Sequence, residues 1–277
     1  PSCRGKGKLI SDENKCKKDG ICGEECPACI IRQDPDSKSP VISSEHEEAC
    51  IMCGHCVAVC PHGALEHVCS PLVDSPEIQK DLVLNLEQVE QFLRSRRSIR
   101  LFKPDPVEKE KIIQLIEVAR YAPTGHNAEA VEWLVFNSKN KVDKIKAMIA
   151  DWMKQIVDEK HPLAEILGFA ERLELLAQGR DIVMRGAPTL IVARGGEGAL
   201  TAEQDVDIAL SYLELAAMPL GLGTCWAGII TVATMLSPQV KEEMNLGDGY
   251  YYPMMVGYPK FSYKRQPKRK EPEITFI

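Results

Sequence analysis

Cys50, Cys53, Cys56 and Cys60, followed at once by Pro61, read C-x2-C-x2-C-x3-C-P. All of the chain's 11 cysteines except Cys225 precede residue 70, so the crowding needs a local cause. Three causes compete: a disulfide-stapled secreted module, a zinc site and an iron–sulfur module. A zinc site takes its ligands as two separated C-x2-C pairs, and a third cysteine at the same interval would be surplus. Disulfides suit an oxidising compartment, whereas the stretch from Pro1 to Ile10 is basic and has no apolar run fit for a signal peptide, so cytoplasm is the expectation. The spacing therefore selects inorganic clusters. Three thiolates two residues apart let a tight loop wrap three corners of a cubane, while the fourth, turned by the following proline, points elsewhere.

A second run lies upstream as Cys16, Asp19, Cys22, Cys26 and Pro27, in the same register, with Asp19 where a cysteine would stand. Together the two runs resemble a bacterial two-cluster ferredoxin over residues 10 to 70. That resemblance implies crossed ligands: Cys16, Cys22 and Cys60, with Asp19, around one cluster, and Cys50, Cys53, Cys56 and Cys26 around the other. A carboxylate is a harder ligand than a thiolate. The Asp19 cluster is accordingly either [4Fe-4S] with Asp19 bound or [3Fe-4S] with that corner empty, beside one ordinary [4Fe-4S] cluster; the other reading of Asp19 is a solvated turn residue next to Gly20. Cys3, Cys29 and Cys69 fall outside both registers and are expected to pack as small hydrophobes.

The length of 277 residues leaves room for one full domain beyond this module. The segment Ser70–Pro76 is rich in turn formers, and the expected division is residues 1–75, a linker over 76–84, and a second domain over 85–277. Asn85 and Gln88 are placed as cap and capping-box partner of a helix carrying Leu86, Val89, Phe92 and Leu93 on one face. Asp105 and Pro106 are expected to open a second helix, with Glu108 at the reciprocal position and a stripe of Ile112, Leu115, Ile116 and Ala119. Apolar runs at Trp133–Phe136, Thr189–Ala193 and Met254–Val256 read as strands, separated by helical stretches near 141–153, 163–178 and 204–218. The fold class is thus α+β: a small iron–sulfur domain, then a larger domain with a central sheet flanked by helices.

Three segments of that larger domain depart from plain packing. Arg96-Arg97-Ser98-Ile99-Arg100 gathers cations at a helix exit, where they also suit the helix dipole. Pro123-Thr124-Gly125-His126-Asn127 is a polar turn. Gly221 to Gly228 is glycine-rich and allows close backbone approach to something flat. Together they resemble the nitroreductase family of FMN enzymes over residues 88 to 272. The resemblance implies FMN contacts from Arg96, Arg97, Ser98 and Arg100, from Thr124 and Asn127, and from Ala227 and Gly228. Lys268 and Arg269 would add phosphate contacts, unless the terminal basic segment is a solvated tail. The chemistry agrees, since a dianionic phosphate wants guanidinium partners and a flavin ring is tuned by nearby cations and donors. Where relatives commonly carry Gln-Pro-Trp after the Asn turn, this chain has Glu129-Ala130-Val131.

A cluster module joined to a flavin domain implies single electrons arriving from ferredoxin or a similar low-potential donor and leaving as a pair to a nitro compound, quinone or other small activated acceptor. An electron carrier serving a protein partner and a reductive dehalogenase-type activity are the competing readings. The resemblance also implies a homodimer, with the apolar helix Ile208–Leu220 fitting either its seam or the chain's own core. The stretch 139–178, with Trp152, Met153, Phe169 and Leu173, lies where relatives vary their substrate cover. The 34 basic against 40 acidic residues, a net charge of −6, do not favour nucleic acid, and no apolar run approaches the roughly 20 residues of a membrane span.

Overall fold

The computed structural model describes residues 8–277. Cys3 lies outside the described residues. The chain divides into two compact units, one running to Val83 and including the tripeptide His126–Ala128, the other made of Leu84–Gly125 and Glu129–Ile277.

The first unit is built from short pieces: strands β1 (Leu9–Ser11), β2 (Ile31–Gln33), β3 (Pro40–Ile42) and β4 (Leu65–His67), and one-turn helices α1 (Ile21–Glu24) and α2 (His55–Ala58). β1 pairs antiparallel with β4 and β2 with β3, giving two separate ribbons. Its core is small, with Cys22, Ile31, Val57 and Leu65 buried and Cys26, Cys56 and Cys60 packed against them. The two cysteine runs fold alike. Lys18 and Gly20 in one, Met52 and Gly54 in the other, all have positive φ (57, 83, 54 and 71°), and each glycine begins a one-turn helix. The backbone around Asp19 thus follows the path taken around Cys53. Cys29 does not pack away as a hydrophobe would; it is exposed, with φ of 52°. Cys69 is half-buried and its thiol meets the Met52 sulfur at 3.5 Å.

The second unit holds α3 (Leu86–Ser95), α4 (Lys109–Ala119), β5 (Val131–Phe136), α5 (Lys139–Asp158), α6 (Pro162–Ile166), α7 (Phe169–Ala177), β6 (Thr189–Gly195), α8 (Ala202–Ala217), β7 (Gly223–Trp226), α9 (Gly228–Leu236), α10 (Pro238–Glu243) and β8 (Tyr251–Gly257). The sheet is antiparallel throughout, in the order β5-β6-β8-β7. Alternation along β6 sends Leu190 and Val192 into one apolar cluster and Ile191 and Ala193 into another, because successive side chains point to opposite faces. One face is covered by α4 and α8 through Ile112, Leu115, Leu210 and Leu213; the other by α5, α7 and α9 through Ile145, Ile149, Phe169 and Ile230.

Several local expectations shift. The capping box of α3 forms, with Asn85 and Gln88 bonding reciprocally at 2.9 Å, yet α3 buries none of its own residues and Leu86 is 75% exposed. α4 begins at Lys109, later than Asp105-Pro106 suggests, and Glu108 itself is its N-cap residue with no capping bond from its side chain. The single helix expected over 163–178 is two, broken at Gly168 (φ 58°). β7 was hidden in a segment that reads as a glycine loop. Trp152, Met153 and Phe169, from the stretch 139–178, are core residues, Trp152 and Phe169 meeting edge-on at 5.6 Å. In α8, Leu210, Leu213 and Ala217 are buried in the unit's own core, while Ile208 and Tyr212 are exposed.

Candidate functional site

In the first unit, Cys26, Cys50, Cys53 and Cys56 line one cavity together with His67. Three come from the downstream run and the fourth from the upstream run, the same four that the ferredoxin resemblance groups together. Burial, together with the charges of Cys53, Cys50 and Cys26, pushes Cys56 up to about 11, and burial likewise raises Cys50. Burial raises Cys22, and Cys60 packs against the small core that contains it. Cys16, Asp19 and Cys22 share a second cavity. Asp19 accepts the Ile21 N–H at 3.3 Å through Oδ1, and its Oδ2 lies 3.4 Å from His62 Nε2. Among the described residues, no three His, Cys, Asp or Glu side chains converge as a single metal ion would require. Cysteines set around a cavity instead suit a polynuclear cluster, whose ligands attach to separate irons. The donor set is rich in cysteine sulfur and partly buried, and burial that disfavours free thiolates would be offset by iron, so these residues fit iron–sulfur clusters.

In the second unit, a cavity of about 600 Å³ opens beside the exit of α3, lined by Arg96, Arg97, Lys103, Glu214, Thr224 and Lys260 among others. β7 builds its floor. Ile99 N–H donates to Thr224 O at 2.8 Å and Ser98 forms an isolated parallel bridge to Thr224, so the arginine segment is tied at one point to the edge strand β7. Gly223 permits this, since a Cβ there would stand 2.3 Å from Ile99 Cγ1 and 2.9 Å from Pro259 Cγ. The close approach expected of the glycine-rich segment is therefore, at Gly223, to the chain itself.

Glu214 is the anchor of the cavity. It is 7% exposed and accepts bonds from Arg96 Nη1 (3.1 Å), Thr224 Oγ1 (3.1 Å) and Trp226 Nε1 (3.3 Å). Arg96 Nη1 also reaches Ser98 Oγ at 3.5 Å. Arg97 donates through Nη1 to the Arg96 carbonyl, while its buried Nε has no partner among the described residues. An unpartnered guanidinium N–H beside Arg96, Lys103 and Lys260, with one carboxylate among them, leaves surplus positive charge and a free donor. That fits the phosphate end of a flavin nucleotide.

Not every expected FMN contact is gathered there. Arg100 is exposed, outside the cavity lining, and is among the charges felt by the buried thiol of Cys225. Thr124 Oγ1 accepts the Glu129 N–H at 3.0 Å. Asn127 belongs to the tripeptide grouped with the first unit, and its Nδ2 donates to the carbonyls of Ile51 (3.3 Å) and Met52 (3.4 Å). Ala227 is buried, its N–H bonded to Pro253 O, and Gly228 opens α9. Lys268 and Arg269 are exposed in the irregular C-terminal segment. Glu214, Lys103, Lys260 and His67 were not expected from sequence. Glu214 alone left a trace: an acidic residue beside Leu213 on the apolar helix α8.

The sequence profile described as the Nitroreductase family matches residues 93–258, more than half of the chain. The chain belongs to the nitroreductase family. A 4Fe-4S dicluster domain profile matches residues 14–65 of this nitroreductase-family chain, which is an FMN-dependent oxidoreductase with an iron–sulfur domain. Curated relatives include an FMN reductase [NAD(P)H] of Bacillus subtilis (strain 168), 25% identical over 69% of this chain and 73% of its own length. A CR(VI) reductase of Pseudomonas sp. (strain G-1) is 26% identical over 62% of this chain and 66% of its own. In fold, the chain is similar to a nitroreductase with bound FMN from Bacteroides fragilis NCTC 9343 (TM-score 0.55, 22% identity, 70% of this chain and 100% of that one). It is also similar to a BluB-like flavoprotein from Clostridium difficile 630 (TM-score 0.52, 23% identity, 68% and 98%). No described helix is long and apolar enough to cross a membrane.

Proposed function

We propose that this chain carries electrons from a low-potential donor, ferredoxin or its like, to a nitro compound, quinone or other activated organic acceptor. The carrying observation is that a cavity lined by cysteines of both runs and an arginine-lined cavity beside a nitroreductase sheet occur in one polypeptide. Bound clusters supply one-electron steps, and bound FMN supplies the conversion of single electrons into a pair. Cys26, Cys50, Cys53 and Cys56 hold one [4Fe-4S] cluster; Cys16, Cys22 and Cys60 hold the other, with Asp19 as the fourth ligand or with that corner open as [3Fe-4S]. The shared backbone path of the two runs supports iron at Asp19 over a simple turn. Arg96, Arg97 and Ser98 hold the FMN phosphate, with Arg96 steadied by Glu214, and Lys103 and Lys260 add charge. The family resemblance alone carries Arg100, Thr124, Asn127, Ala227, Gly228, Lys268 and Arg269 as further candidate contacts, since none of them lines the arginine-bearing cavity.

The domain limits follow the same reading: a cluster domain to residue 75, a linker to 84 and the flavin domain beyond. A homodimer is supported by the apolar residues that the single chain leaves bare, among them Leu86 and Leu93 on α3 and Phe276 near the C-terminus. The test is iron, sulfide and flavin content of protein purified without oxygen, followed by reduction with ferredoxin, NADH and NADPH. Two clusters and FMN, with faster flavin reduction by reduced ferredoxin, are expected. The Bacillus relative's name specifies NAD(P)H; rapid reduction by NADPH and none by ferredoxin would overturn the donor, and lack of iron would overturn the whole reading.

A further inference from the structure

His67 closes β4 and is 2% exposed. Its backbone exchanges bonds with Ser70 in both directions, at 3.4 and 2.9 Å, so a tight turn wraps the ring. Nδ1 accepts the Cys69 N–H at 3.1 Å. A ring nitrogen that accepts an N–H carries no proton, so the proton of the imidazole sits on Nε2. Nε2 lies 3.6 Å from Cys50 Sγ, within hydrogen-bonding reach of sulfur. The ring lines the same cavity as Cys26, Cys50, Cys53 and Cys56. In the complementary set, Cys16 and Cys60 receive backbone N–H groups, from Lys18 and Ala64, at 3.4 Å each. Cys50 has a side-chain donor, which substitution can remove without touching the main chain.

We propose that His67 is a positioning residue that donates its Nε2–H to the Cys50 sulfur and raises the reduction potential of the cluster held by Cys26, Cys50, Cys53 and Cys56. The inference rests on the reading of those cysteines as cluster ligands. Reduction places more negative charge on the sulfurs, so a fixed donor stabilises the reduced form more than the oxidised one. The ring's tautomer is set from behind by Cys69, in the way that second-layer bonds orient the histidines of metal sites. A ring that merely filled the core would be replaced without redox effect by one of similar bulk.

The full chain with clusters and flavin is compared with His67→Phe, which keeps bulk and loses the donor, and His67→Gln, which keeps an N–H. Potentiometric titration with electron paramagnetic resonance reads both clusters. In His67→Phe, the reduced-to-oxidised ratio of one cluster at the native midpoint is expected to fall about tenfold, about 59 mV for one electron. The second cluster stays put and His67→Gln remains near the native value. Unchanged potentials in His67→Phe, equal shifts in both clusters, or a Gln variant shifted as far as Phe would overturn the proposal. Should His67→Phe hold no iron, His67→Gln decides: a native potential supports the donor and a tenfold shift refutes it. Native protein without iron or sulfide refutes the cluster reading itself, a result distinct from clusters present and indifferent to His67.

Discussion

Glu214 concentrates more of the second unit's polar bonding than any residue anticipated for the site. Its side chain is 8% exposed and that of Arg96 26%, so the pair sits between the surface and fully buried regimes. Removing the carboxylate strands Arg96, Thr224 and Trp226 donors together. Glu214→Ala is expected to cost about 2 kcal/mol, less than a fully buried pair would because Arg96 keeps some water. Denaturant unfolding of the flavin-free chain measures it. FMN addition should restore more stability to the variant than to the native chain, because phosphate gives Arg96 a replacement partner. Equal stabilisation by FMN in both would argue against Arg96 at the phosphate.

At the scale of elements, the contact between β7 and the Ile99 segment places the arginines. Gly223→Ala forces a methyl into Ile99 and Pro259, and overpacking of this kind costs about 2 kcal/mol. The variant is expected to lose FMN during gel filtration at concentrations where the native chain keeps it; full retention would detach β7 from the site. Helix α8 presents a different case. Leu213 is fully buried between α4 and the sheet, one position before Glu214. Leu213→Ala should cost about 3 kcal/mol, within the range for buried leucines, without weakening FMN binding in the folded fraction. A loss below 1 kcal/mol, read by urea unfolding, would contradict the packing described.

For the whole molecule, crossed ligation makes a prediction that an uncrossed arrangement does not. Cys60→Ser lies in the downstream run, yet its damage should fall on the cluster of Cys16 and Cys22, leaving the Cys50 cluster's resonance signal native. Loss of the Cys50 signal instead would reverse the ligand assignment. Metal removal separates the units further. The first unit has two-stranded ribbons and a core in which cysteines are prominent, so little apolar burial holds it without clusters. Chelation of iron under denaturant-free conditions should open it to protease at sites before Val83 while the second unit stays intact. Identical cleavage maps with and without iron would show that the first unit stands on its apolar contacts alone.

The iron–sulfur domain was legible because a cubane constrains residues two and three apart, and such spacing survives whatever the rest of the chain does. The family likeness was legible for a similar reason, through short segments at Arg96, Asn127 and Gly228. The α3 capping box and the runs at β5, β6 and β8 could also be read, being set by neighbours in sequence. The strand at β7, the break at Gly168 and the late start of α4 could not. A four-residue strand with a glycine at its head has no period of its own and exists because β8 pairs with it. The same holds for function-bearing side chains. Arg96 and Glu214 are 118 residues apart, and Cys50 and His67 are 17, so nothing local announces either pair. Periodicity and spacing report what one stretch of chain can do by itself. Which carboxylate steadies an arginine, and which imidazole faces a thiolate, is decided only when distant stretches return to the same place.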